Sequence, residues 1–214
     1  MQVWAIVVAA GGGERFGGTK QFAELGGARV VDLAVEQAAL ACDAVVVVLP
    51  AGFAWNGAPV AAAIIGGATR SASVRAGLAH VAEEAEVVVV HDAARPLAGR
   101  ALFEEVIAAV RRGADAAVPV LPVSDTLKRV ENERVVATLD RDGLVVVQTP
   151  QAFRAQALRS AHASDGDTTD DAALVEAVGG SVVVVPGDPR NLKVTTPADL
   201  ALSAALLATP EVDR

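Results

Sequence analysis

The 214-residue sequence predicts a layered α/β fold built on a mostly parallel sheet. Three observations lead there. Residues 3–9, 45–49, 87–90 and 182–185 are short, almost continuously apolar and rich in valine, as strands buried on both faces are. The stretches between them carry apolar residues at helical spacing. The two patterns alternate, as strand–helix–strand crossovers in a parallel sheet require.

In chain order, residues 3–9 form the first strand. Val31, Leu33, Ala34, Ala38 and Cys42 line one face of the first helix. Residues 45–49 return as a strand, and Val74, Leu78 and Val81 face the core from a second helix. The third strand, 87–90, is followed by Leu102, Val106, Ile107 and Val110, again at helical spacing. Residues 124–148 break this rhythm. Two strand-like pieces, 126–130 and 134–138, flank the polar residues 131–133 and predict a hairpin that leaves the core. After the strand 182–185, Thr196 as N-cap, Pro197 at the first helical position and Asp199 in the first turn mark the last helix. Residues 209–214 are expected to fray.

Composition narrows the function. Lys plus Arg number 18 against 26 Asp plus Glu, a net charge of −8, which argues against non-specific nucleic-acid binding. Apolar residues make up 52% and charged residues 21%, which excludes a disordered chain. A single cysteine, Cys42, excludes an intrachain disulfide and suits a reducing cytoplasm. His80, His91 and His162 are too scattered to suggest a zinc site. No apolar run reaches the roughly 18–20 residues of a membrane span, and no basic region precedes the first run as in a signal peptide. A single cytoplasmic domain over 1–214 is therefore expected, with no membrane or nucleic-acid partner.

Ligands of such sheets bind beyond the carboxyl ends of the strands, which directs attention to residues 10–20, 66–73, 91–96 and 187–195. The first of these, Ala10-Gly11-Gly12-Gly13-Glu14-Arg15-Phe16-Gly17-Gly18-Thr19-Lys20, is glycine-rich. It is not a P-loop, because Gly18 is followed by Thr19 and then Lys20, the reverse of the required order. Nor is it a dinucleotide fingerprint, since Phe16 stands where the third glycine belongs. Consecutive glycines still let backbone N–H groups approach an anion, and Arg15 and Lys20 add two cations. Gly66-Gly67-Ala68-Thr69-Arg70-Ser71-Ala72-Ser73-Val74 sets glycines, hydroxyls and an Arg before a helix, a second anion-friendly start.

Taken together these segments resemble the 2-C-methyl-D-erythritol 4-phosphate cytidylyltransferases of the non-mevalonate isoprenoid pathway. The resemblance runs from Ala9 to about Leu207. The loop Ala9 to Gln21 is similar to that family's A-A-G-x-G-x-R…K-Q, Gly66 to Val74 to G-G-x-x-R-x-x-S-V, and His91 to Pro96 to H-D-A-A-R-P. Asp125 to Arg129, Arg141 to Leu144 with Gln148 to Gln151, Thr169 to Ala172, and Asn191 to Thr195 supply four further matches in the same order. The departure is in the first loop, where four residues separate Arg15 from Lys20 and Thr19 stands where the family usually has proline.

The resemblance implies a Rossmann-like three-layer nucleotidyltransferase fold with a projecting β-hairpin arm at about 124–148, through which a homodimer forms. It implies joining of 2-C-methyl-D-erythritol 4-phosphate to CTP, with release of pyrophosphate. By the same token Arg15 and Lys20 would stabilise the reacting phosphates. Ala10, Gly11 and Gly13 would contact the nucleotide through their backbone, while Gly67 and Ser73 would read the base. Asp92, Arg95, Thr149, Thr169 and Lys193 would hold the acceptor, joined by Thr126 and Arg141 from the arm. Mg2+ would be carried mainly by the triphosphate, with no metal ligands from the protein.

Bland readings stand beside these roles. Asp92 and Arg95 could form a simple ion pair, and His91 is expected to be structural. Thr169 could cap a helix, with Asp167, Asp170 and Asp171 its solvated start. Lys128 and Arg129 are expected to face solvent on the hairpin. The competing functions are a cytidylyltransferase for another polyol phosphate, such as ribitol 5-phosphate, and a non-catalytic nucleotide-binding module. Length leaves no room for a fused cyclodiphosphate synthase.

Overall fold

Inside the sheet lies β1 (Gln2–Val8), whose side chains are divided between two cores. The computed structural model describes residues 2–12, 16–163, 166, 168 and 170–209. Strand β1 pairs in parallel with β4 (Ala44–Leu49) on one side and β6 (Ala85–Asp92) on the other, and β4 pairs in parallel with β5 (Ala62–Ile65). Beyond β6 comes β11 (Gln151–Arg154), antiparallel to both β6 and β7 (Ala116–Pro122). Strand β10 (Val145–Val147) continues the antiparallel pairing along β7, and β12 (Val182–Pro186) pairs with β7 in parallel. A short two-stranded ribbon, β2 (Glu24–Leu25) and β3 (Ala28–Arg29), stands apart.

Alternation along the strands builds three layers. Val3, Ala5 and Val7 pack beneath α1 (Val30–Ala39) and α3 (Arg100–Arg111), with Val31, Val35, Phe103 and Val106 in the same cluster. Ile6, Val46 and Val48 face the other way, against Val74 of α2 (Arg70–Leu78), Leu158 of α4 (Ala155–Ala161) and Val175 of α5 (Asp171–Ala177). The four valine-rich runs are strands; the first three are mostly buried, whereas β12 lies at the side of the sheet with Val183 and Val184 exposed, so two-sided burial was not needed there. Strands β5, β7, β10 and β11 were not legible as runs.

The expected hairpin is present but shorter than 124–148, since β10 at the end of that segment rejoins the main sheet: β8 (Leu127–Glu131) pairs with β9 (Arg134–Leu139) in a two-stranded sheet of its own. Its turn is the two residues Asn132 and Glu133, both at positive φ (47° and 63°), rather than 131–133. That is the tight connection whose twist matches two antiparallel strands. Val130, Val135 and Val136 are exposed on it. The last helix, α6 (Pro197–Leu207), starts as its sequence predicts, with a reciprocal capping box between Thr196 and Asp199. Among the described residues no helix is long and apolar enough to cross a membrane. Of the tail expected to fray, residues 210–214 lie outside the described residues.

Candidate active site

The loops leaving β1, β5, β6 and β12 meet at the carboxyl edge of the sheet, where a cleft of about 230 Å³ opens. Its walls include Ala10, Gly11 and Gly12 from the first loop, Lys20, Gly67, Arg70 and Ser73, Asp92 at the end of β6, and Lys193. All four loops singled out in the sequence contribute. Gly13 and Arg15, assigned to the same first loop, and Asp167 and Thr169 lie outside the described residues.

Gln21 fixes the first loop to the turn that carries Lys20. Its buried Nε2 donates to the Ala9 carbonyl at 2.7 Å and to the Gly11 carbonyl at 3.0 Å. At Gly11 and Gly12 an added Cβ would meet nothing within 4 Å among the described residues, and neither needs a left-handed backbone. Packing among the described residues therefore does not demand glycine there. Gly66 is the opposite case. A Cβ on it would lie 2.4 Å from Ala10 Cβ and 2.7 Å from Ser73 Oγ, so its absence lets the start of α2 dock against the first loop. That helix opens with Thr69 as N-cap, accepting from Ala72 N–H at 3.2 Å. Ser73 on its first turn is buried and donates to the Thr69 carbonyl at 2.9 Å.

A chain of alternating charge crosses the floor. Lys193 Nζ donates to Asp92 Oδ2 at 2.7 Å, and Arg70 Nε donates to Asp92 Oδ1 at 3.1 Å. Arg70 also reaches Asp171 Oδ2 at 2.5 Å, and His162 Nε2 lies 3.0 Å from Asp171 Oδ1. Burial alone would raise the Asp92 carboxyl, but Arg70 and Lys193 overcome it and hold the group well below the usual carboxylate range. Burial works against the charge of Arg70 too, and its two aspartates more than compensate.

Three expectations change here. Asp92 pairs with Arg70 and Lys193 rather than with Arg95. The Arg95 guanidinium instead donates to the Asn191 carbonyl at 2.8 Å and the Val147 carbonyl at 3.4 Å, and burial pulls its pKa below the ordinary value. Asp171 is not part of a solvated helix start: it is fully buried and ion-paired. The cap of α5 is Asp170, accepting from Ala172 N–H.

Thr149 and Arg95 stand one layer behind the cleft and do not line it. Thr149 Oγ1 accepts from Asp92 N–H at 3.0 Å and lies 3.2 Å from His91 Nδ1. The Arg95 carbonyl can only accept, so His91 donates to it from Nε2, at 3.1 Å, and Thr149 O–H donates to Nδ1. Burial pushes His91 down to about 4, so it is a neutral, structural histidine as expected. Thr126 and Arg141 are exposed on the arm and do not line this cleft; Arg141 donates to the Ser124 carbonyl.

Several contributors gave no role to sequence reasoning. Gln148 Nε2 donates to the Asp188 carbonyl at 2.9 Å, and Asn191 Nδ2 to the Thr149 carbonyl at 2.9 Å. These buried amides shape the loop that delivers Lys193. Both sit inside the quoted motifs, which is the one signal that could have marked them. Arg70 and Asp171 also lie in quoted motifs, but only their burial and pairing reveal the link between them, and His162 lies in none.

A three-layer sheet with a bare glycine loop, two lysines and a clamped aspartate at its carboxyl edge defines a protein that handles phosphorylated ligands, in the manner of nucleotide-binding α/β proteins. Comparison with known proteins narrows this. The family model for 2-C-methyl-D-erythritol 4-phosphate cytidylyltransferase matches residues 3–209. A relative of that name from Nocardia farcinica is 45% identical, covering 96% of this chain and 94% of its own. The crystal structure of the Thermus thermophilus protein of that name superposes with a TM-score of 0.86 at 37% identity, covering 98% of this chain and 100% of that one. Against a bifunctional enzyme from Solidesulfovibrio magneticus, 43% identical, the chain spans 58% of the relative's length. The chain belongs to the 2-C-methyl-D-erythritol 4-phosphate cytidylyltransferase family.

Proposed function

We infer that this protein is a nucleotidyltransferase that joins 2-C-methyl-D-erythritol 4-phosphate to CTP, giving 4-diphosphocytidyl-2-C-methyl-D-erythritol and pyrophosphate. The observation that carries the reading within the fold is the meeting of Lys20 and Lys193, from the first and last loops, in one cleft beside Asp92. Two polyanions must share a site for this reaction, and each needs its own cation.

The chemistry asks little beyond that. A phosphate monoester has its second pKa near 6 and is already mostly dianionic at neutral pH, so its oxygen attacks the α-phosphorus without a general base. The work left to the protein is in-line positioning and stabilisation of charge on phosphate oxygens. Lys20, with Arg15, faces the α-phosphate and the departing pyrophosphate. Ala10, Gly11 and Gly13 offer backbone groups to the triphosphate, and Gly67 and Ser73 meet the base. Lys193 and Asp92 hold the acceptor, backed by Arg95 and Thr149, and Thr169 keeps the acceptor role that the family resemblance implies.

Magnesium belongs to this reading as an ion borne mainly by the triphosphate, where it would supply charge neutralisation for the leaving group. The donor set agrees with that placement. Among the described residues Asp92 is the one carboxylate on the cleft wall, and Arg70 and Lys193 already occupy its oxygens. The reading also includes a cytoplasmic homodimer, its arms bringing Thr126 and Arg141 to the neighbouring subunit's acceptor.

A donor and acceptor panel tests the proposal: CTP, UTP, ATP and GTP, each with 2-C-methyl-D-erythritol 4-phosphate and with ribitol 5-phosphate, followed by pyrophosphate release. CTP with the methylerythritol phosphate should be the fastest pair. Faster turnover of ribitol 5-phosphate would transfer the reading to another polyol phosphate. No release with any pair would leave a nucleotide-binding module.

A further inference from the structure

We propose that His162 and Asp171 are positioning residues for the acceptor end of the site, acting through Arg70 and Asp92 on Lys193. The inference rests on the acceptor role given to Asp92 and Lys193 above. Neither His162 nor Asp171 lines the cleft.

Asp171 is a fully buried carboxylate. Such a group is tolerated only when paired and hydrogen-bonded. One oxygen takes Arg70 Nη1 at 2.5 Å and the other takes His162 Nε2 at 3.0 Å. A carboxylate can only accept, so Nε2 carries a proton and donates it to Asp171. Nδ1 is itself buried and has no hydrogen-bond partner among the described residues.

That orphaned nitrogen matters to the argument. If His162 served only to fill space where α4 ends, an apolar side chain of similar size would do so without stranding a polar atom. The imidazole is kept for the one N–H it aims at Asp171. With Asp171 held at both oxygens, Arg70 is held at Nη1 and presents Nε to Asp92 Oδ1. Asp92 Oδ2 is then left to Lys193, whose side chain is 43% exposed and reaches the cleft. Each link fixes the orientation of the next, from the α4–α5 junction to the lysine. Without the His162 donor Asp171 can rotate, Arg70 is free to take both Asp92 oxygens, and Lys193 loses its anchor.

The test is steady-state kinetics of the full chain, with CTP and 2-C-methyl-D-erythritol 4-phosphate varied separately and thermal melts run alongside. His162→Leu removes the donor, the shorter amide of His162→Asn stops short of Asp171, and His162→Gln restores an N–H near the original Nε2. Leu and Asn should raise the acceptor KM about tenfold, the scale of losing one hydrogen bond to a charged group. The CTP KM should stay within about twofold, and Gln should restore the acceptor KM. A change in Tm alone with the acceptor KM unmoved, or an equal rise in both KM values, would overturn the proposal. Should Leu fail to fold, the contrast between Asn and Gln decides by the same criteria. Lys193→Ala separates the two levels: if it leaves the acceptor KM unchanged, the acceptor-site reading has failed, whereas a rise there with none in the His162 variants refutes the positioning role alone.

Discussion

His91 and Asp92 are neighbours in sequence, yet burial is answered differently at each. Asp92 stays charged because two cations reach it, while His91 has no carboxylate partner and gives up its charge. The consequence is a stability that depends on pH. His91 sits at about 4 in the folded chain against an ordinary 6.5, so between those values the unfolded chain binds a proton that the folded one refuses. Its contribution is therefore complete above about pH 6.5 and is lost as pH falls toward 4, by roughly 3 kcal/mol in all. Asp92, held below its ordinary value, acts in the same direction at lower pH still. Urea midpoints of the wild type should fall steadily from pH 7 to 4.5. His91→Asn should start lower and fall less steeply. A wild-type midpoint that is flat across that range would contradict the burial argument.

At the scale of elements, the glycines divide into two kinds that one substitution each can separate. Gly66→Ala places a carbon 2.4 Å from Ala10 Cβ, forcing the start of α2 away from the first loop. Overpacking of this sort costs about 1–3 kcal/mol. Both Tm and CTP use should suffer. Gly11→Ala meets no atom of the described residues within 4 Å, so Tm should hold while the CTP KM rises. Equal effects of the two substitutions on Tm would deny the distinction. The same contrast explains what the sequence could reveal. Strands β1, β4 and β6 were legible because burial on both faces demands unbroken apolar runs, and β12 because it is a run of valines even though Val183 and Val184 are exposed. Strand β7 hid behind Pro119 and Pro122, β5 is a four-residue piece that is only partly buried, and β10 and β11 are short and interrupted at Thr149 and Pro150. The arm showed itself through its charges and its turn. In the site, the loops and their cations could be read from spacing. The Arg70–Asp171 pair could not, because it joins residues far apart in sequence and Asp171 looks like any acidic helix start until its burial is known.

For the whole molecule the question is what covers the arm. Strands β8 and β9 pair only with each other, and Val130, Val135 and Val136 are 56%, 62% and 49% exposed, as are Val145 and Val146 at 44% and 51%. A two-stranded ribbon is marginal alone, and apolar side chains in water add to its difficulty, so packing on a symmetry mate would resolve both. Arg141 and Thr126 lie on this segment and not at their own chain's cleft. A shared site accounts for that separation, and it can be tested without a structure of the dimer. Lys20→Ala disables the cleft, at a loss of about two to three decades in turnover if its charge meets the transition state. Arg141→Ala disables the arm. In a mixed dimer one site then carries both defects and the other carries neither. Random exchange makes about half of the dimers mixed, so roughly a quarter of all sites should recover. If Arg141 instead served its own subunit's cleft, every site would lack one of the two residues. The two variants should be unfolded and refolded together, with subunit exchange verified by native mass measurement, and assayed for pyrophosphate release. Activity near a quarter of wild type places the arm in the neighbour's site. A mixture no more active than its components, with exchange complete, means that each cleft works with its own arm.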